Sequence, residues 1–284
     1  MSVLIQLSEA IKKSIEESCE ENTAIAFSGG VDSTTLATVA KNVCNVFLHS
    51  VGTPGSQDLE WAEKVASKLS LPLQKHVVDE KEVLSLYEKV YSILPFHPFK
   101  IDIFIPVYKV LECANEDVVL FGSGSEELFI GYDRYYRFLD EGKDLDSILK
   151  NEFENLNKKG GDVWAIKQIA KKLKKNVAFP FCNKKIAEIV FSIPVAERAD
   201  DRELKKGVLR EAAALLKVPK EALLRRKKSM QYGSGVHKII EKHKKELEEK
   251  FPQKLPPRNG GKAMMHTHLN TISSIMGAPF SPAP

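Results

Sequence analysis

The stretch that most constrains the fold is Thr23-Ala-Ile-Ala-Phe-Ser-Gly-Gly-Val-Asp-Ser-Thr34. Residues 24–27 are an apolar run of strand length, and Ser28-Gly-Gly30 follows at once. Residues 32–43 then carry apolar side chains at helical spacing (Leu36, Val39, Ala40, Val43), so the pattern predicts strand, glycine turn, helix. Gly29 and Gly30 let the backbone take positive φ and come close to a ligand. The helix start offers unpaired N–H groups and the positive end of a dipole, which suits phosphate. Ser28 and Ser33 add hydroxyls, and Asp32 is a hard oxygen donor of the kind magnesium takes. The competing reading is an ordinary βα turn whose glycines serve geometry alone. A Walker loop is excluded, because Gly-x-x-x-x-Gly-Lys-Ser/Thr is absent here.

Further strands alternate with helices. Residues 3–19 read as an amphipathic helix with Leu4, Leu7, Ile11 and Ile15 on one face. Residues 45–51 read as a buried strand ending in Gly52-Thr-Pro-Gly-Ser56, 58–69 as a helix, 73–78 as a strand and 80–91 as a helix. After the aromatic stretch 94–99, in which His97 reads as a packed loop residue, 107–114 looks helical and 117–121 is the next buried strand. Such alternation implies a parallel sheet with ligands over its carboxyl edge. Beyond Arg134 no strand is predicted, only lysine-rich helical segments through 143–175, 183–192, 201–217 and 236–250. The tail 251–284 has six prolines and no acidic residue, which predicts loose packing or disorder. His266 and His268 lack a third ligand nearby in sequence.

Composition excludes some classes. No apolar run approaches the roughly 18 residues of a membrane helix, and early acidic residues argue against a signal peptide. Cys19, Cys44, Cys113 and Cys182 form no Cys-x-x-Cys pair, which points to reduced thiols and a cytoplasmic setting. The net charge of +4 decides nothing for 284 residues.

Two more stretches carry chemistry. The strand 117–121 runs into Gly122-Ser-Gly-Ser-Glu-Glu-Leu-Phe-Ile-Gly-Tyr132, whose Glu126 and Glu127 sit where a helix begins. They read either as helix-capping carboxylates or as a partner for Asp32 around a metal. Between positions 200 and 228 there are ten basic residues against five acidic ones. That run reads as a solvated face, as an RNA-binding surface, or as lysines aimed at phosphate near 224–235.

Ser28-Gly-Gly-Val-Asp-Ser33 resembles the pyrophosphate loop of enzymes that split ATP between its α and β phosphates. Together with Val51-Gly-Thr-Pro-Gly-Ser-Gln-Asp-Leu59, Gly122–Tyr132, Pro180-Phe181, Leu209-Arg210 and Arg226-Lys-Lys228, it is similar to one family over most of 18–240. That family is glutamine-dependent asparagine synthetase, in its synthetase domain, with its β-lactam-forming relatives. The resemblance implies an α/β fold, a parallel-sheet PP-loop core (adenine nucleotide alpha hydrolase-like) with a helical C-terminal layer. The implied domain is 1–250, its nucleotide-binding core about 18–138 and its helical part about 139–250, followed by the tail. The family's N-terminal glutaminase, with cysteine at position 2, is expected to be absent, since position 2 is Ser2.

By position, the resemblance implies ATP along Phe27, Ser28, Gly29, Gly30, Asp32, Ser33, Val51, Gly52, Phe121 and Gly122. It implies Mg2+ on Asp32 and Glu126, the latter where the family usually has aspartate. Lys228 matches the family lysine on the activated phosphate, with Lys227 as the neighbouring alternative and Glu127 as a further catalytic candidate. Ser123 replaces the glutamate or tyrosine that assists nucleophile attack, and a serine hydroxyl is no base at neutral pH. The expected reaction is AMP-forming ligation of a small carboxylate to ammonia or an amine. A separate glutaminase subunit and a homodimer are compatible partners; membrane is not expected and nucleic acid is disfavoured. RNA-base modification and a non-catalytic, ATP-binding regulator remain the alternatives.

Overall fold

The computed structural model describes residues 2–96, 98–226 and 230–252, with the main chain alone at 98, 99, 230 and 231. His97, Lys227, Lys228, His266, His268 and the tail from 253 on lie outside the described residues. All described residues belong to one unit, Met1–Gln253.

Five parallel strands carry the fold: β1 (Asn22–Ala26), β2 (Asn45–Gly52), β3 (Leu73–Val77), β4 (Val118–Leu120) and β5 (Val177–Ala178). Their spatial order is β3-β2-β1-β4-β5. The chain therefore steps outward from β1 through β2 to β3, then returns to the other side of β1 for β4. At that reversal the connections diverge to opposite faces and leave a crevice at the carboxyl ends of β1 and β4.

The first six helices are α1 (Val3–Glu16), α2 (Val31–Ala40), α3 (Gln57–Leu69), α4 (Glu80–Ile93), α5 (Pro98–Cys113) and α6 (Ser125–Leu128). Successive strand residues point to opposite faces, so both faces of a covered sheet must be apolar. Ile25, Leu48, Val118 and Leu120 pack on one face with α1, α2, α3 and the helices Lys184–Ser192 and Gly207–Leu215. Ala24, Ala26, Val51, Val119 and Phe121 pack on the other with α4, α5, Asp162–Leu173 and Val236–Lys242. The second half of the chain thus supplies helices to both faces.

Four details depart from the pattern read in the sequence. The helix expected over 201–217 begins only at Gly207, after Lys205 and Lys206 take left-handed backbones (φ +61° and +58°) that interrupt helical turns. β5 is a strand where none is expected, because two residues paired with β4 are too short to show a period. Helix α2 stops at Ala40, and Val43 is 51% exposed. Asn42 closes that end, its Nδ2 donating to the carbonyls of Thr38 (3.0 Å) and Val39 (3.3 Å). Helix α5 begins at Pro98, well before 107, since proline is tolerated in a first turn where its missing N–H costs nothing. No helix among the described residues is long and apolar enough to cross a membrane.

Candidate active site

The crevice is walled by two glycine turns, one after each of the strands at the reversal. After β1, Phe27 still donates its N–H to His49 O at 2.8 Å, and the chain then turns through Ser28, Gly29 and Gly30 into α2. Gly29 has φ +72°, and a Cβ there would lie 2.8 Å from the Trp61 carbonyl oxygen, so glycine is required twice over. The serines brace the turn: Gly30 N donates to Ser28 Oγ (3.3 Å) and Ser28 N to Ser33 Oγ (3.3 Å). Gly30 is the N-cap of α2 and contributes no side-chain cap, so the first turn keeps its polar end toward the crevice. The side chains of Phe27, Val51 and Phe121 are 3%, 5% and 2% exposed, committed to the core. Gly52, at the end of β2, is packed against Ser56, whose Oγ would be 2.0 Å from an added Cβ.

After β4, Gly122 lies against Asp32, where a Cβ would come within 3.0 Å of the Asp32 Cβ. Gly124, with φ +94°, starts α6 and sets Glu126 and Glu127 in its first turn. The two turns thereby deliver Asp32 and Glu126 to a single point, and a buried lysine joins them there. Lys206 Nζ donates to Asp32 Oδ1 and Oδ2 at 2.8 Å each, to Glu126 Oε1 at 2.8 Å and to Ser125 Oγ at 3.0 Å. Lys206 is 1% exposed. Burial works against its charge, but Asp32 and then Glu126 outweigh it and raise the pKa above the ordinary lysine value. Gly131 makes room: a Cβ there would sit 1.7 Å from Glu126 Oε2 and 2.6 Å from Lys206 Cε.

Glu127 turns away from this point into the interior and is 6% exposed. Burial first, then the neighbouring Glu126, pushes its pKa up to about 8, so at neutral pH the carboxyl holds its proton. Behind it, Arg134 Nη2 and Tyr135 Oη both donate to Glu152 Oε2, at 2.6 and 2.5 Å. Ser123 is half-buried, and its carbonyl accepts from Cys182 Sγ at 3.5 Å.

The basic run at 200–226 is not simply a solvated face, since Lys206, Arg210 and Arg225 all turn inward. Arg210 donates through Nε to Lys205 O (2.6 Å) and through Nη2 to Leu204 O (2.6 Å) and Arg225 O (3.0 Å). Arg225 in turn bonds the Ser28 carbonyl and donates to Asp58 Oδ1 at 2.5 Å. Arg225 is therefore fastened to the first glycine turn. In the sequence Lys206 is one of ten bases between positions 200 and 228. The available signal was Lys205-Lys206-Gly207 just before the Leu209-Arg210 motif.

A family model described as "Asparagine synthase" matches residues 3–175 and 174–270. The chain belongs to the asparagine synthase family. Within this family it is 32% identical over 275 residues to a protein of Methanocaldococcus jannaschii named putative asparagine synthetase [glutamine-hydrolyzing] 1, covering 83% of this chain and 50% of that one. It is 23% identical over 259 residues to asparagine synthetase B [glutamine-hydrolyzing] of Escherichia coli strain K12, covering 81% of this chain and 45% of that one. The chain thus spans about half the length of the curated relatives it matches. Among solved structures it is similar to the NMN synthetase of Francisella tularensis (14% identity, TM-score 0.46, 91% of this chain and 99% of that one). It is also similar to the NH3-dependent NAD synthetase of Campylobacter jejuni (18% identity, TM-score 0.34, 89% and 97%).

Proposed function

We propose that the protein is an ATP-dependent, AMP-forming ligase that joins a small carboxylate to ammonia or an amine. The observation that carries this is the convergence of Asp32, Glu126 and a buried cation between two glycine turns at the switch point, in a chain of the asparagine synthase family. ATP would lie with its adenosine along the main chain of Phe27, Val51 and Gly52. Its phosphates would meet the N–H groups of residues 29–33 and the hydroxyls of Ser28 and Ser33, with Phe121 and Gly122 along the nucleotide.

The donor set fits magnesium. Asp32 and Glu126 are hard oxygen ligands, and the Lys206 ammonium between them is a stand-in cation showing that the pair accepts positive charge. When bound, the ion would offset charge on the phosphate oxygens.

The substrate carboxylate oxygen attacks the α-phosphorus, the bond to the bridging oxygen breaks and pyrophosphate leaves. Ammonia or an amine then attacks the acyl carbon of the adenylate, losing a proton and expelling AMP. Lys227 and Lys228 are assigned to the leaving pyrophosphate on the family resemblance of Arg226-Lys-Lys228. Glu127, neutral at pH 7, is assigned the wall behind Glu126 and not the part of a base. Ser123 supplies no base either, so the amine enters the second step already deprotonated or gives its proton to the substrate or water. The inward turn of Lys206, Arg210 and Arg225 disfavours the RNA-modification reading, which needs these charges outward.

The test is exchange of labelled pyrophosphate into ATP across a panel of carboxylates that includes aspartate. Carboxylate-dependent exchange is expected, and none with any carboxylate overturns the assignment.

A further inference from the structure

Lys206 is placed with unusual care for a residue that only balances charge. Lys205 and Lys206 both have left-handed backbones, φ +61° and +58°, a conformation that side-chain-bearing residues adopt only when their surroundings impose it. The imposing group is Arg210, whose guanidinium donates to the carbonyls of Leu204 and Lys205 at 2.6 Å each, while Arg210 N donates to Lys206 O at 3.0 Å. The lysine main chain is therefore staked down, and its ammonium can move only by rotation of its own side chain. That side chain runs past Gly131, whose missing Cβ leaves the room.

The ammonium has more acceptors than protons. Four oxygens surround Nζ within 3.0 Å, against three N–H donors. A magnesium ion takes its oxygens at about 2.0–2.1 Å. A dication bonded to Asp32 and Glu126 would have to enter the space Nζ now fills, and two cations so close repel. Lysine and metal cannot both hold this pair.

We propose that Lys206 is an exchangeable cation: in the nucleotide-free protein its ammonium keeps Asp32 and Glu126 together, and when the metal arrives with the nucleotide it gives them up and swings to the phosphate oxygens. The inference rests on the reading of Asp32 and Glu126 as metal ligands for a nucleotide complex. It makes Lys206 a positioning residue before loading and a phosphate ligand after it. Metal alone would have to displace a bonded ammonium with nowhere to go, so tight metal binding would require the nucleotide.

The experiment measures Mn2+ binding by electron paramagnetic resonance on the full chain, with and without α,β-methylene-ATP. Wild type is expected to bind Mn2+ weakly alone and tightly with the analogue. Lys206→Met should bind Mn2+ without nucleotide at least tenfold tighter than wild type, and the analogue at least tenfold more weakly. Unchanged or weaker nucleotide-free Mn2+ binding by Lys206→Met overturns the inference.

If that variant does not fold, wild type decides through 15Nζ signals of lysine ammonium groups, visible where exchange with water is slow. The shielded signal should stay in place with Mg2+ alone and shift or vanish when Mg2+ and the analogue are added together. A signal unmoved by both together overturns the exchange. A wild type that binds no Mn2+ even with the analogue, or Asp32→Asn that binds it fully, overturns the parent assignment and the inference with it.

Discussion

Two buried polar clusters sit beside the same β1–β2 pair and are satisfied in opposite ways. In one, His49 on β2 is fully buried, with Nδ1 3.0 Å from His76 Nε2 and Nε2 3.2 Å from Glu116 Oε1. His49 and His76 lie on adjacent strands, two steps apart in register on the same face. One proton order satisfies every contact: His49 Nε2 donates to Glu116, and His76 Nε2 donates to His49 Nδ1. Burial first, then His49, lowers the His76 pKa to about 4, so His76 stays neutral at pH 7 and the cluster serves as a strut. In the other, Lys206 gathers Asp32 and Glu126 from 174 and 80 residues away, with unequal charges and a wall of glycines. A strut closes its own hydrogen bonds, whereas the second cluster is the one the proposed function assigns to a metal. Removing a strut member should cost stability, and altering the other cluster should cost chemistry.

The largest expected effect separates the two. Asp32→Asn should lower pyrophosphate exchange about 10³-fold, the scale of losing one preorganised electrostatic partner, with little change in denaturant midpoint. A large stability loss with exchange intact would reverse the comparison. Gly131→Ala comes next, because the new methyl must push aside the ends of Glu126 and Lys206 and leaves the backbone alone. About a 100-fold loss of exchange in a folded protein is expected, as for a misplacement near 1 Å. Glu116→Ala should do the converse, leaving His49 Nε2 buried without its acceptor. Urea unfolding should show about 1–3 kcal/mol lost while exchange persists.

Two further effects appear in pH. In the unfolded chain His76 takes up a proton near pH 6.5, but in the folded one only near pH 4. Stability should therefore fall as pH drops from 6.5 to 4, and His76→Gln should flatten that slope in denaturation curves. Glu127 has the opposite sign: folded, it keeps its proton up to about pH 8, while unfolded it ionises near 4.5. Wild type should lose stability as pH rises from 4.5 to 8. Glu127→Gln should remove that loss and be the more stable protein at pH 8.

The parts of the fold legible in advance are those governed by local pattern. Four strands and the helices between them follow from apolar runs and their period, and Ser28-Gly-Gly30 and Gly122–Gly124 mark the turns that end two of them. Lys206 was not legible. A lysine beside a lysine before a helix looks solvated, and nothing local says that Arg210 forces its backbone left-handed and sends its ammonium inward. β5 was missed for a related reason, since a two-residue strand exists only through its pairing with β4.

By itself, then, the sequence determined the alternation of strand and helix and the places where glycine lets the chain turn closely, because periodicity and φ are local properties. Only the tertiary structure decided the strand order that sets the two glycine turns side by side, and the meeting of Asp32, Glu126 and Lys206 between them. Charges from segments this far apart meet only where packing brings the segments together, and the Lys206 ammonium between the two carboxylates then offsets their mutual repulsion.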